Sequence, residues 1–517
     1  MPRIKTDTIA EFGDFQTPRV LADRVCALLQ STGVAPESIV EPTCGRGAFL
    51  FAAADRWPEA HKIAGFEINE TYLESTRTIA SGRADAARIR TECGDFFTTD
   101  WPKLIAELPD PILLIGNPPW VTSAHVSSLG GSNVPEKSNF QRHNGFDAIT
   151  GKANFDISEW MLIKLAEAFQ SRRGTLAMLV KTVVARKLLA HCWSTGVPVS
   201  EASIYRIDAA EHFDAAVDAS LVVIHFGKSA PSSRAQVYGQ LSRAIRPTAT
   251  IAMEEGSLVA DLDAHRATKH LAGGSPLRWR SGIKHDCSKV MELEFADRQL
   301  KNGLGELLDL EPDYLLPMFK TSEVAGGRVD KCHRRMIVTQ RCIGEQTAAI
   351  AKRAPKTWAY LQRHRALLNK RGSSIYRGKP EFSIFGVGDY TFSPWKIAIS
   401  GMYKSLRFVK VGPCEAQPVV FDDTTNFIPC PSEAAAALLL SLLESDEAKA
   451  FYKSFIFWDA KRPITVDLLG RLNLHALAES LRVSDTFAQL FGTETAITSR
   501  KIRVPVKMTA SPMLWPQ

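Results

Sequence analysis

Gly116-Asn117-Pro118-Pro119-Trp120 follows directly on the apolar run Ile112–Ile115 and carries the most chemistry in the chain. A double proline at a strand end is ordinarily a stop signal, because proline lacks the N–H that a ladder needs. These flanking residues allow more. The Asn117 side-chain oxygen and the Pro118 carbonyl could both accept hydrogen bonds from one amino group. An exocyclic amine on a nucleobase is a poor nucleophile, since its lone pair is delocalised into the ring. Two acceptors on its N–H bonds would hold it toward tetrahedral geometry and stabilise the positive charge that develops on attack. Such a transfer needs in-line placement of the electrophile, but no acid, metal or covalent nucleophile. Trp120 would stack on the base, which must leave a duplex before its amine can be reached. Phe213, in Glu211-His212-Phe213-Asp214, is a candidate for the other face.

A second group of residues has the types and spacing of a nucleotide-like cofactor site. In Glu41-Pro42-Thr43-Cys44-Gly45-Arg46-Gly47 the glycines allow close backbone approach where a strand turns into a helix. Alone, such a segment is only a tight turn. Further on, Gly65-Phe66-Glu67-Ile68 ends the next apolar run, where the Glu67 carboxylate could take both hydroxyls of a ribose. Asp95, in Gly94-Asp95-Phe96, could accept from an adenine amino group while Phe96 offers an apolar wall.

The elements that must position these residues are legible as alternation. Short apolar runs at Ile39-Val40, Ile63–Ile68 and Ile112–Ile115 alternate with helical stretches, the signature of βαβ units and a parallel sheet. Thr175–Val180 and Ser220–Phe226 are two further strands, with a helix from near Ala185 between them. Together they predict an α/β, doubly wound domain over residues 1–235, closed by the polar Gly227–Ser233 cluster as a linker. Residues 236–517 predict a mixed α+β domain with strands at Met336–Thr339 and Lys396–Ser400 and a helix at Ala434–Leu443 capped by Ser432.

Composition narrows the class. With 45% hydrophobic and 23% charged residues, the chain reads as globular rather than disordered or membrane-embedded. Met1–Phe15 has no apolar core of a secretory signal, so a cytoplasmic protein is expected. The nine cysteines show no metal-ligand spacing, and no metal is expected. Charge is unevenly distributed. Between Lys331 and Lys379 stand thirteen Lys or Arg against one acid, Glu345, in a chain whose net charge is +7. Such a run suits a polyanion: Arg334, Arg335, Arg341, Lys352, Arg353, Lys356, Arg363, Arg365, Lys370, Arg371, Arg377 and Lys379 would track phosphates, with Tyr360, Tyr376 and Trp395 close by.

Taken together, the motifs resemble those of the gamma-class DNA adenine-N6 methyltransferases of restriction and modification systems. Gly13-Asp14-Phe15-Gln16-Thr17-Pro18 resembles the N-terminal cofactor motif, with Thr17 and Pro18 in it. Glu41 to Gly47 resembles the glycine-rich loop, Glu67 the ribose acid, and Asp95-Phe96 the adenine pair. Asn117 to Trp120 resembles the catalytic motif, whose last position is more often Tyr or Phe. Lys152 to Trp160 resembles the next motif, and Trp160 would help to enclose the cofactor adenine. Phe213 sits where the family carries its second base-stacking aromatic. More faintly, Arg280–Asp286, Tyr314–Pro317 with Lys320–Glu323, and Lys461–Ile464 resemble the target-recognition half of related enzymes.

The resemblance implies a Rossmann-like methyltransferase domain, S-adenosylmethionine as methyl donor, base flipping, and double-stranded DNA as partner. It implies a monomer as working form, with any cleavage left to a separate restriction endonuclease. Competing readings are methylation of cytosine N4, of an RNA base or of a glutamine side chain, and a DNA-binding subunit that keeps the fold without turnover. The basic C-terminal half favours a nucleic acid over a protein, and asparagine rather than serine at position 117 favours adenine over cytosine.

Overall fold

The computed structural model describes residues 15–121, 156–169, 172–227, 230–296 and 299–492. The chain divides into two compact units between Leu262 and Asp263.

The first unit is built on one ten-stranded sheet. In chain order its strands are β1 (Ser38–Glu41), β2 (Lys62–Glu67), β3 (Ile89–Cys93), β4 (Ile112–Gly116), β5 (Gly174–Lys181), β6 (Val199–Ile207), β7 (Ala219–Phe226), β8 (Arg234–Tyr238), β9 (Ala249–Glu254) and β10 (Ser257–Val259). Their spatial order is β10-β9-β8-β6-β7-β5-β4-β1-β2-β3. β3, β2, β1, β4 and β5 pair in parallel, and β7 enters antiparallel between β5 and β6. The central strands are apolar throughout because both faces are covered. Leu113 and Ile115 join a core with α1 (Arg19–Ser31) and α2 (Ala48–Arg56), while Ile112 and Leu114, which point the other way, are equally buried. This is the expected doubly wound, Rossmann-like arrangement.

Strand order reverses between β1 and β4, which lie side by side with Val40 opposite Leu114. A doubly wound sheet binds ligands in the crevice at such a point, at the carboxyl ends of its strands. Glu41 ends β1, Glu67 ends β2, Asp95 lies just past β3, Asn117 follows β4 and Lys181 ends β5. One edge therefore receives every expected catalytic and cofactor position in the described strands.

The expected boundary near residue 235 needs correction. β8, β9 and β10 continue the first sheet, β8 pairing in parallel with β6. Gly227–Ser233 is thus a connection between strands of one sheet, not a linker between units. The half-polar pattern of Ala249–Glu254, buried only at its centre, conceals an outer strand.

The second unit is mixed α+β, as expected. A four-stranded antiparallel sheet has the order β11 (Arg280–Ser281), β20 (Thr425–Cys430), β17 (Trp395–Ser400), β18 (Val409–Val411). A six-stranded sheet has the order β14 (Leu307–Leu308), β13 (Gln299–Asn302), β12 (Glu292–Ala296), β16 (Arg334–Ile337), β15 (Leu315–Phe319), β19 (Val420–Phe421). The helix Glu433–Glu444 forms with Ser432 capping it through the Ala435 N–H at 3.2 Å. Among the described residues no helix is long and apolar enough to cross a membrane.

Candidate active site

The loop between β1 and α2 is shaped by its glycines. Gly45 and Gly47 take φ of +51° and +77°, and a Cβ on Gly47 would stand 2.7 Å from the Phe51 ring. Only glycine is at ease there. The turn is tied to the next strand: the Gly45 N–H donates to Glu67 Oε2 at 2.8 Å, and the Asn69 N–H donates to Glu67 Oε1 at 2.8 Å. Glu67 is thereby fixed at the carboxyl end of β2, with Ile68 exposed beside it. Thr43 is half-buried in the same loop.

Glu41 is 3% exposed, and its Oε2 accepts the Leu50 N–H at 2.7 Å. Burial pushes its carboxyl well above the usual range, the Leu50 N–H opposes that, and the Glu67 charge adds to it. A buried acid in this state gains from a cationic ligand group beside it, which restores the charged form.

Beyond β3, Asp95 accepts the Phe97 N–H at 3.0 Å in a tight turn. Phe96 is buried against Trp101 with centroids 4.8 Å apart, and Phe97 meets Trp160 at 5.4 Å. Asp95, Phe96 and Trp160, expected together, are brought together. Phe97 was not expected; two adjacent phenylalanines give no hint of which one reaches Trp160.

Asn117 is the point on which the site turns. Its Nδ2 donates to the Phe15 carbonyl at 2.9 Å and to Thr17 Oγ1 at 3.3 Å. Its Oδ1 is buried and, among the described residues, has no hydrogen-bond partner. Such an orphan acceptor costs about 1–3 kcal/mol. Phe15-Gln16-Thr17-Pro18 thus spends the donor end of the Asn117 amide and leaves the acceptor end free. Gln16 accepts the Arg46 N–H at 3.3 Å, joining this segment to the glycine loop, and Pro18 leads into α1.

Trp120 departs from the expected stacking platform. It is 5% exposed, belongs to the first unit's core, and its Nε1 donates to the Leu179 carbonyl at 3.2 Å. Phe213 meets it edge-on, with centroids 5.1 Å apart at 68°, and Phe15 closes the third side at 5.4 Å. Rings in edge contact leave no slot for a base between them, so a sandwich between Trp120 and Phe213 requires Phe213 to withdraw. Phe213 ends the short helix Ala209–Phe213, just before Asp214 at φ +51°.

Lys181 was not expected. From the end of β5 its Nζ donates to the Trp120 carbonyl at 2.9 Å and to Asp156 Oδ2 at 2.6 Å, and the Ile157 N–H donates to the Val121 carbonyl at 2.9 Å. These bonds join the end of β4's loop at Trp120 and Val121 to Asp156 and Ile157. Gly13, Asp14 and Lys152–Phe155 of the expected motifs lie outside the described residues.

Part of the basic run of the second unit is answered by acids from outside it. Arg334 pairs with Glu294 at 2.5 Å and Glu323 at 3.3 Å, Arg335 with Glu415 at 2.5 Å, Lys356 with Asp309, and Arg365 with Glu381. Arg341 lies over the Phe392 ring at 4.5 Å. Arg371 stacks on Tyr376 at 3.7 Å and donates to the carbonyls of Leu368 and Ser383. Arg335 and Arg371 are therefore held by the fold rather than laid out along a polyanion. Tyr360 is likewise core: it is buried and donates to the Val290 carbonyl at 2.9 Å. Lys352, Arg353, Arg363 and Lys370 are exposed and form no ion pair among the described residues.

No protein-family model matches the chain. A solved type IIL restriction-modification enzyme, MmeI in complex with DNA, superposes over 93% of this chain and 76% of its own, with TM-score 0.49 and 12% identity. The M protein of the type I restriction enzyme EcoKI covers 44% of this chain and 48% of its own, with TM-score 0.31 and 15% identity. A curated relative is far nearer: the type II methyltransferase M.NspV of a Nostoc species is 45% identical over 475 residues, 91% of this chain and 98% of that protein. With identity that high running through both units, the chain belongs to the type II methyltransferase family.

Proposed function

We propose that the protein is a site-specific DNA methyltransferase acting on adenine N6 after flipping the base out of the duplex. The observation that carries this is Asn117, whose Oδ1 is buried without a partner among the described residues while its Nδ2 is held by Phe15 and Thr17. A buried acceptor kept free in this way suits an incoming amino group. In this reading Asn117 Oδ1 and the Pro118 carbonyl take the two N–H bonds of the target amine, and Pro119 keeps that carbonyl at the strand end. Acceptors fixed in advance stabilise positive charge on the nitrogen without reorganising.

The methyl donor is S-adenosylmethionine, which supplies an activated sulfonium methyl for in-line transfer. Thr17, Pro18, Glu41, Thr43, Gly45 and Gly47 would surround its amino-acid end. Glu67 and Ile68 would take the ribose, with Asp95, Phe96 and Trp160 around the adenine. A buried Glu41 whose carboxyl is pushed up fits a ligand that brings positive charge. Trp120 acts in this reading as a wall behind the target base, and Phe213 as the movable aromatic.

The partner is double-stranded DNA. In the second unit Lys352, Arg353, Arg363 and Lys370 are the proposed phosphate contacts. The working form is a cytoplasmic monomer, and any cleavage belongs to a separate endonuclease.

Expression in a bacterium without adenine methylation, followed by sequencing that detects modified bases, tests this reading. N6-methyladenine within one short fixed sequence is expected, and its absence from an Asn117→Ala strain. N4-methylcytosine instead would move the reading to the other base, and unmodified DNA would overturn it.

A further inference from the structure

The methyl donor brings two positive charges, on its sulfonium and ammonium groups, and one negative charge, on its carboxylate. Glu41, Glu67 and Asp95 at the strand ends suit the first two. They oppose the third, because a like charge nearby disfavours an ionised carboxylate. The donor's carboxylate therefore needs a cation. In residues 15–18, 41–47, 65–68 and 94–96, the segments assigned to the donor, Arg46 is the one basic residue. It is exposed, and no acid pairs with it among the described residues.

The peptide between Gly45 and Arg46 is held at both of its polar ends. Its N–H, that of Arg46, donates to Gln16 Oε1 at 3.3 Å, next to Thr17. Its carbonyl, that of Gly45, accepts the Thr76 hydroxyl at 3.0 Å. Thr76 belongs to α3 (Glu70–Ser81), which begins just past Glu67 and is capped by Asn69 Oδ1 through the Thr71 and Tyr72 N–H groups at 3.0 and 3.3 Å. The glycine loop is thus fastened to the N-terminal segment on one side and to the helix after the ribose acid on the other. Arg46, between two glycines, is the side chain that projects from it.

That side chain is placed. The Arg46 guanidinium lies over the Tyr72 ring, 4.8 Å from its centroid, in the first turn of α3. Stacking engages the face of a guanidinium and leaves the N–H groups on its edge, in the fork that matches a carboxylate. A side chain already laid on a ring also loses less freedom on binding.

We propose that Arg46, carried on Tyr72, takes the donor's carboxylate through a forked pair of hydrogen bonds and so fixes the amino-acid end of the donor at the glycine loop. The inference rests on the placement of the donor along Glu41, Glu67 and Asp95, and not on which base is methylated.

The test is calorimetry, without DNA, of S-adenosylmethionine and of its decarboxylated analogue, which keeps the sulfonium, amine, ribose and adenine. Wild type should bind the analogue about tenfold or more weaker than the donor. Arg46→Ala should weaken the donor by a similar factor and leave the analogue within about threefold of wild type. Glu67→Ala should weaken both ligands alike, because both carry the ribose. A wild type that binds the two ligands equally, or an Arg46→Ala that weakens both alike or neither, overturns the assignment of Arg46 alone. A Glu67→Ala that binds both ligands as wild type does overturns the placement of the donor, and the assignment with it.

Discussion

Parallel strands and the run from Lys331 to Lys379 treat sequence order in opposite ways. In the first unit, Glu41, Glu67, Asp95 and Asn117 stand twenty or more positions apart, yet each ends or follows one of the parallel strands of one sheet and so arrives at one edge. In the second, thirteen basic residues stand close in sequence, yet the fold disperses them and pairs Arg334, Arg335, Lys356 and Arg365 with acids from elsewhere. Among the described residues the first unit leaves an acceptor unpaired, at Asn117 Oδ1. The second pairs part of the charge it was expected to display. Position relative to a strand end is a property that folding preserves; local charge density is not.

The comparison breaks most visibly at Asn117. Asn117→Ala should lower the transfer rate about 10²–10³-fold, the size of effect seen when one preorganised hydrogen-bonding group is removed from a charge-developing site. Donor affinity measured by calorimetry should stay within a few fold, because the cofactor residues lie on other strands.

Next in size is the exposed basic set. Replacing Lys352, Arg353, Arg363 and Lys370 together with alanine should weaken duplex binding and reduce the slope of log K against log salt by about 0.9 for each phosphate that is no longer neutralised. Melting should be unchanged. An unaltered salt slope would remove these residues from the interface.

Arg371 should behave in the reverse way. Arg371→Ala leaves the Leu368 and Ser383 carbonyls without their donor and uncovers Tyr376, so it should cost about 2–3 kcal/mol of stability and leave the salt slope alone. Denaturant melts and salt titrations of the same preparation separate the two outcomes.

A further consequence is a pH slope. Lys396 is buried in β17 and donates to the carbonyls of Ser393 and Val419, and burial pulls its amine down to about 7. In the unfolded chain it stays protonated to about 10.5. Between those values the unfolded state binds more protons, so Lys396 makes stability rise with pH, by up to roughly 1.4 kcal/mol per unit. Below about 7 the folded state is protonated too and the slope from this group ends. Lys396→Met should flatten the rise in melts taken between pH 7 and 9.5; an identical slope in the variant would show that Lys396 does not titrate in this range.

What was legible in the sequence follows the same division. β4, buried on both faces, reads as the unbroken apolar run Ile112–Ile115 that located Asn117, and the shorter apolar stretch Ile63–Phe66 located Glu67. Phe15 stands in the N-terminal motif with nothing to mark it as the holder of Asn117, and Lys181 belongs to no pattern. Phe15 acts through its carbonyl, which any residue could supply, and Lys181 is one polar residue at the end of an apolar strand. Trp120 was read by type as a stacking surface, but its Nε1 bond to Leu179 and the rings of Phe15 and Phe213 make it a buried wall. β8 to β10 were missed because an outer strand needs few apolar residues. The acids that neutralise the basic run lie up to 80 positions away, as Glu415 does from Arg335, and nothing in the run itself points to them.

The most direct measurement incubates purified protein with methyl-labelled S-adenosylmethionine and unmethylated genomic DNA, beside an equal amount of RNA, and identifies the labelled nucleoside by mass spectrometry. Label in N6-methyladenine of the DNA, lost in Asn117→Ala, is the result predicted by a free acceptor aimed at an exocyclic amine. Label in RNA or in another base, or transfer that survives the substitution, would contradict it.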